Sequence, residues 1–420
     1  MTRAIYVYAD WLNESSLVGT LTADYVRQKE HFSFSYDAAW LAGEHVLKID
    51  PDLHLVSGGQ HKTDDRNFRV FLDSCPDRWG RLLMQRREAL LARQEARAAR
   101  PLQESDYLLG VHDANRMGAL RFKTDPQGPF LDDDHRLSAP PMTSLRELEH
   151  AARQVEQNEN PDDPDYSKWL LMLVSPGSSL GGARPKASVI DENGELWIAK
   201  FPSHHDGHDI GLWEYLTYQL ALKAGIDMAT STIGRYHSDQ HTFLTKRFDR
   251  ENGRRIHFSS AMTQLEYYDG EDGASYLELA EFLTNHGSRT KEDLAQLWRR
   301  IVFNIAVSNV DDHLRNHGFL FDGSGWRLSP AYDINPTAIA NGLHLNINDQ
   351  DNRLDYTLAF EVIDFFRLSD KEAEEIFMEV IAAVSQWRNL ANQLGISRAE
   401  QEAMKSAFNV GSEPADRSHT

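Results

Sequence analysis

A chain of 420 residues, 41% hydrophobic and 26% charged, has the composition of an ordinary globular protein and is long enough for two or three domains with sizeable cores. Its 44 basic and 64 acidic residues leave a net charge of −20, which excludes broad nonspecific nucleic-acid binding through a basic surface while leaving room for a local basic patch. The single cysteine, Cys75, excludes an intrachain disulfide and a multi-cysteine metal site and reads as a small buried hydrophobe.

At the N terminus Met1-Thr2-Arg3 runs straight into Ala-Ile-Tyr-Val-Tyr, without the apolar core of a signal peptide. No later run approaches the roughly 18 apolar residues of a membrane span, so a cytoplasmic location without a membrane partner is the expectation. Residues 4–8, 16–21 and 31–36 combine β-branched and aromatic residues with partial alternation and predict a small antiparallel sheet. Residues 79–100 predict a helix stopped by Pro101, with Arg86, Arg87, Arg93, Arg97 and Arg100 on a solvated face. A short strand is expected at 118–122, then an Asp-, Pro- and Gly-rich connector at 124–141. An amphipathic helix follows at 144–157 with Ser144 as N-cap, and after an acidic turn a short apolar helix at 166–174.

Residues 175–186, Ser-Pro-Gly-Ser-Ser-Leu-Gly-Gly-Ala-Arg-Pro-Lys, form a small-residue loop that feeds strands at 187–190 and 195–201. Such a loop lets backbone N–H groups approach phosphate oxygens, and a Lys or Arg adds charge; it also reads as a plain glycine turn. It matches neither the P-loop pattern nor the kinase G-x-G-x-x-G. Lys200 lies on the second strand, and a helix over 209–224 offers Glu214 as its partner, the alternative being a surface lysine and a solvated helical glutamate. Strands at 230–236 and 241–247 precede helices at 276–286 and 290–308, the latter with Thr290 as N-cap. Capping boxes at Ser369–Glu372 and Ser397–Glu400 open two last helices, and residues 411–420 read as a disordered tail.

The densest chemistry lies at 301–334. An apolar run leads into Asn309-Val310-Asp311-Asp312-His313-Leu314-Arg315-Asn316, then a hairpin turning at 322–325 returns to Tyr332-Asp333. Protein kinases place a catalytic Asp five residues before a metal-binding Asn, and a second metal-binding Asp beyond the next hairpin. Asp311, Asn316 and Asp333 have that arrangement. Carboxylate and amide oxygens suit Mg²⁺, a hard cation, while a second carboxylate can orient a hydroxyl or accept its proton. Alone, the stretch also reads as a polar turn rich in Asp and Asn.

The joint order of loop, lysine strand, glutamate helix, D-x-x-x-x-N and Asp resembles the HipA family of serine/threonine kinases, the toxins of bacterial toxin–antitoxin systems. The wording carries it too: Ser179-Leu-Gly-Gly-Ala-Arg-Pro-Lys186, Asn309-Val-Asp-Asp-His-Leu-Arg-Asn-His-Gly-Phe-Leu320 and Leu328-Ser-Pro-Ala-Tyr-Asp333. The resemblance implies an α+β, atypical two-lobed kinase-like fold: a strand-rich subdomain over 1–123, an N-lobe over 124–247 and a helical C-lobe over 248–410. It implies ATP with Mg²⁺, a HipB-like helix-turn-helix antitoxin through which alone DNA is met, and a protein substrate, an aminoacyl-tRNA synthetase in the best-known member. It casts Asp311 as catalytic, Asn316 and Asp333 as metal ligands and Lys200 as the phosphate-binding lysine. Gly181, Gly182, Ala183, Arg184, Pro185 and Lys186 would cover the nucleotide. Lys246, Arg247 and Phe248 would form the hinge, with His313, Leu314, Arg315 and Tyr332 lining the phosphate side. Ser179, or the adjacent Ser178, would be autophosphorylated. The Arg184-Pro185 pair departs from the best-known member, which has a polar and an acidic residue there. A kinase of the same fold with a small-molecule substrate and a catalytically silent co-repressor are the competing readings.

Overall fold

The structure is a computed structural model that describes residues 2–12, 14–27, 29–131, 139–157, 165–174 and 182–410. Its fold is α+β and divides into two compact units: Met1–Asp206 with Gly234–Ser259, and Gly207–Ile233 with Ser260–Thr420.

The first unit holds two apolar cores. In one, strands Thr2–Ala9, Ser16–Val26 and Lys29–Tyr36 bury alternate residues, as a sheet covered on one face requires. Ile5 faces Leu21, and Leu21 faces Phe34, giving a continuous apolar row across three antiparallel strands. The sheet is completed by Gly59–His61 at one edge and Leu120–Lys123 at the other. The last strand pairs with the first, Val7 opposite Phe122, although a long stretch of chain separates them.

The second core gathers Trp79, Leu83 and Leu90 of helix Arg78–Gln94 with Leu148, Ala152 and Val155 of helix Leu145–Gln157. Helix Tyr166–Val174 adds Leu170 and Leu173. The 78–94 helix thus packs against elements that follow residue 139. That helix starts at its N-cap Asp77, which accepts from the Gly80 N–H, and ends before the expected Pro101 stop. Ala96 turns left-handed at φ 52°, and the Arg97 N–H reaches back to the Ala92 carbonyl at 2.8 Å. Of the arginines expected on a solvated face, Arg87, Arg93, Arg97 and Arg100 are exposed, with Arg97 paired to Glu88 and Arg100 to Asp106, while the half-buried Arg86 donates to the Val155 carbonyl. Ser144 belongs to a 3₁₀ turn, Met142–Ser144, that runs into the next helix. Strand Lys186–Ile190 pairs antiparallel with Leu196–Lys200, and the latter with Thr242–Lys246.

The second unit is built on helix Thr290–Val307, whose residues from Val302 to Val307 are all buried. Its axis is fixed in part by Trp298, which donates to the Ala359 carbonyl at 2.8 Å. Thr290 is the first helical residue, not the N-cap: its hydroxyl bonds the Leu283 and Gly287 carbonyls and ties the helix to the end of Tyr276–His286. Both expected capping boxes form, at Ser369 with Glu372 and Ser397 with Glu400. Strands Gly318–Phe321 and Trp326–Leu328 make the expected hairpin, with Asp322 accepting from the Ser324 and Gly325 N–H groups and Gly323 at φ 92°. Among the described residues no helix is long and apolar enough to cross a membrane.

Candidate active site

The buried helix Thr290–Val307 delivers the polar loop. Ser308 adopts φ 51°, ψ 48°, and the Asn309 N–H bonds the Asn304 carbonyl at 2.9 Å, so the chain leaves the helix sharply. Of the two adjacent carboxylates, Asp311 is exposed and Asp312 buried. Asp312 Oδ2 accepts from Tyr276 Oη at 2.5 Å and Asn304 Nδ2 at 2.7 Å, and lies 2.8 Å from His317 Nε2. Burial pushes its carboxyl up, but the charge of His317 and its bond, with that of Tyr276, outweigh this and hold it below the usual carboxylate range. Burial and Asp312 together push the Tyr276 hydroxyl well above its ordinary value. Asp312 is thus the post on which the loop is fixed, and Asp311 is presented outward.

Asn316 is buried, and its Nδ2 donates to the Asp311 carbonyl at 2.9 Å, which orients the amide so that Oδ1 is its remaining acceptor. The returning strand is tied to the same loop. Tyr332 Oη donates to the Arg315 carbonyl at 2.7 Å, and the Asn335 N–H to Asn309 Oδ1 at 3.2 Å. Between these ties Asp333 sits at φ 58°, a left-handed conformation uncommon for a residue with a Cβ and concentrated at functional sites. Asn335 Nδ2 donates to Asp333 Oδ1 at 3.2 Å, while its own Oδ1 is buried without a partner. The second unit therefore brings Asp311, Asn316 and Asp333 onto one hydrogen-bonded framework. Sequence reasoning missed Asn304, Asn309, Asn335, Tyr276 and His317, which build it; the only local signal was the density of Asn around 304–316. His313 is half-buried, its ring 5.9 Å from that of His344, and Leu314 is buried.

The first unit holds the other expected residues. Lys200 ends its strand opposite Lys186 and Phe243, its ammonium 5.5 Å from the Phe243 ring centre. Gly182 has φ 109°, which a Cβ would strain; Ser178, Ser179 and Gly181 lie outside the described residues. Arg184 makes a two-pronged pair with Asp206, at 3.1 and 2.5 Å. The Lys186 ammonium pairs with Asp77 at 2.8 Å, and the two side chains are 3% and 1% exposed, so it anchors the end of the loop internally. Lys246 pairs with Glu195 at 2.5 Å. Arg247 is buried, its guanidinium bonded to Asp249 and to the Asn115 and Arg116 carbonyls. These bonds fasten the expected hinge segment to residues 115 and 116. Phe248 is half-buried, 6.0 Å from the Phe258 ring. In the second unit Glu214 is buried at 3% exposure, which rules out the solvated-glutamate reading.

A protein of Haemophilus influenzae named putative kinase is 28% identical over 201 residues, covering 42% of this chain and 58% of its own length. The serine/threonine-protein kinase toxin HipA of Shewanella oneidensis is 25% identical over 254 residues, covering 52% of this chain and 53% of its own length. The match thus spans little more than half of either relative. The fold is that of Shewanella oneidensis HipA as solved in its complex with HipB and operator DNA: TM-score 0.65 at 16% identity, over 96% of this chain and 94% of that one. Residues 178–388, half of the sequence, match the model of the HipA-like C-terminal domain, and the chain belongs to that family.

Proposed function

We propose that the protein is an ATP- and Mg²⁺-dependent serine/threonine protein kinase of the HipA type, held in check by a HipB-like helix-turn-helix antitoxin. The observation that carries the reading is the shared framework of the second unit: an outward Asp311, an oriented Asn316 amide and a left-handed Asp333, tied together through Tyr332 and Asn309. The residues fit Mg²⁺. Asn316 Oδ1 and the Asp333 carboxylate are hard oxygen donors, and the buried, unpartnered Asn335 Oδ1 beside Asp333 is an acceptor for a metal-bound water. When bound, Mg²⁺ would neutralise phosphate charge. Asp311 would orient the substrate hydroxyl and take its proton, while Asp312 keeps the loop from shifting. By the family resemblance Lys200 would meet the ATP phosphates, and Ser179 or Ser178 would take the autophosphorylation. The names of its relatives support a kinase, one of them specific for Ser/Thr. The complex of its structural neighbour with HipB and operator DNA supports an antitoxin partner, and the acidic net charge of −20 favours contact with DNA through that partner. For the substrate we favour a protein, with an aminoacyl-tRNA synthetase as the first target to examine.

The test is phosphoproteomics after induced expression of the intact chain and of Asp311→Asn, with ATP turnover by both purified proteins. Phosphorylation of one protein's serine or threonine, lost in the variant, is expected. Turnover with only a small-molecule acceptor would favour a different kinase, and no turnover by the intact chain would favour a silent repressor subunit.

A further inference from the structure

Apart from the oxygen donors of the second unit, the first unit gathers a nitrogen-rich set. Glu156 near the end of helix Leu145–Gln157 faces the turn that follows strand Leu196–Lys200. One ligand atom each from Glu156, His204 and His205 lies within 4.8 Å of the other two. His204 Nδ1 is 3.0 Å from Glu156 Oε2, and the two imidazole rings are 3.6 Å apart between centres.

The turn carrying both histidines is held from several sides. Ser203 Oγ donates to Glu156 Oε1 at 2.5 Å, and the His204 N–H to Glu156 Oε2 at 2.9 Å. The Ser203 N–H bonds Asp206 Oδ2 at 2.9 Å, and Arg184 clamps the Asp206 carboxylate. The backbone on both sides of the histidines is therefore fixed, while His204 and His205 themselves are exposed and their rings can turn. Two ligands on a tetrahedral ion, each about 2.1 Å from it, sit about 3.4 Å apart. The observed separations, from 3.0 Å to at most 4.8 Å, bracket that value, so rotation of exposed rings suffices to close the site.

We infer that Glu156, His204 and His205 form a binding site for a borderline divalent transition metal such as Zn²⁺, distinct from the Mg²⁺ donors. Two imidazoles and a carboxylate suit Zn²⁺, Co²⁺ or Ni²⁺, whereas Mg²⁺ prefers oxygen donors alone. Three protein ligands leave the fourth position to water. The bound ion joins the end of a core helix to the turn that Arg184 clamps, so it tightens the segment that continues from the expected nucleotide loop.

The experiment uses the untagged full chain, stripped of metal and titrated with Zn²⁺ in excess Mg²⁺, with thermal unfolding as a second readout. Co²⁺ serves as a spectroscopic probe through its visible d–d bands. Saturable binding of Zn²⁺ that Mg²⁺ does not displace, a raised Tm and imidazole-type Co²⁺ bands are expected, and His204→Ala/His205→Ala should lose all three at this site. The milder H205Q, which changes one exposed side chain, should weaken binding and serves if the double variant misfolds. Absence of saturable Zn²⁺ binding, or equal binding by wild type and the folded variants, overturns the assignment; the latter would place the ion on other histidines.

Discussion

At the scale of the residue, the adjacent carboxylates 311 and 312 have opposite fates and opposite predicted phenotypes. Asp311→Asn changes an exposed side chain, so unfolding should be unaltered and phosphoryl transfer lost. Asp312→Ala removes an acceptor from Tyr276, Asn304 and His317 inside the protein. Leaving such buried donors unpaired costs on the order of 1–3 kcal/mol each, so this variant should lose stability first and activity as a consequence. Chemical denaturation and ATP turnover of both variants separate the two effects. Asp333 poses a subtler question, because its side chain and its backbone are both special. Asp333→Gly relaxes the left-handed backbone at φ 58° while removing the carboxylate, whereas Asp333→Ala removes it and keeps the strain. Both should abolish the strengthening of nucleotide binding by Mg²⁺, measured by calorimetry; recovery in the glycine variant would assign the role to conformation.

At the scale of the element, the loop feeding strand Lys186–Ile190 depends on an internal ion pair. Asp77 caps helix Arg78–Gln94 with one oxygen, and its carboxylate pairs with Lys186, the two side chains being 1% and 3% exposed. Removing one partner of so buried a pair leaves an uncompensated charge. Lys186→Ala should therefore destabilise the first unit by about 3 kcal/mol or more. Denaturant unfolding checks this, and Lys186→Arg should recover less than full stability because a guanidinium does not share the ammonium's compact shape. At the end of helix Thr290–Val307 the sign reverses. Ser308→Gly keeps the left-handed exit at φ 51° without a Cβ penalty, so a change within about 1 kcal/mol is expected.

At the scale of the whole molecule, the two units should answer acid differently. Burial raises the Asp50 carboxyl in the first unit to about 6, above its unfolded value, so the fold disfavours its charged form. Its contribution to stability therefore increases as pH falls through about 6 and levels off below the unfolded value near 4. Asp312 in the second unit is depressed instead. The stability it supplies is present above about 4 and is lost as pH falls through its lower folded value. Hydrogen exchange followed at pH 7 and pH 5 should show protection gained around Asp50 and little change around residues 304–317. The net charge of −20 leads to a further expectation: the chain alone should show no saturable duplex DNA binding at physiological salt, and retention should require the partner.

The sequence by itself determined what depends on near neighbours. Alternation fixed three strands of the first sheet, serine–glutamate spacing fixed the capping boxes, the offsets among Asp311, Asn316 and Asp333 picked out the polar loop, and the joint order and wording of the motifs carried the family resemblance. Tertiary structure decided what depends on distant contacts. Helix Arg78–Gln94 joins a core made by residues 145–244, a packing that no local pattern announces. Arg247 turns inward to Asp249 and residues 115–116, and Lys186 turns to Asp77, although both sit in stretches whose wording points to a ligand. The five-residue offset to Asn316 singles out Asp311 in the sequence, but nothing local says which of the two adjacent carboxylates is buried. Tyr276, Asn304 and His317, brought in by other elements, choose which carboxylate is buried and which is exposed. Periodicity records the face of an element, but the identity of the group that meets a buried charge is settled where separate elements converge.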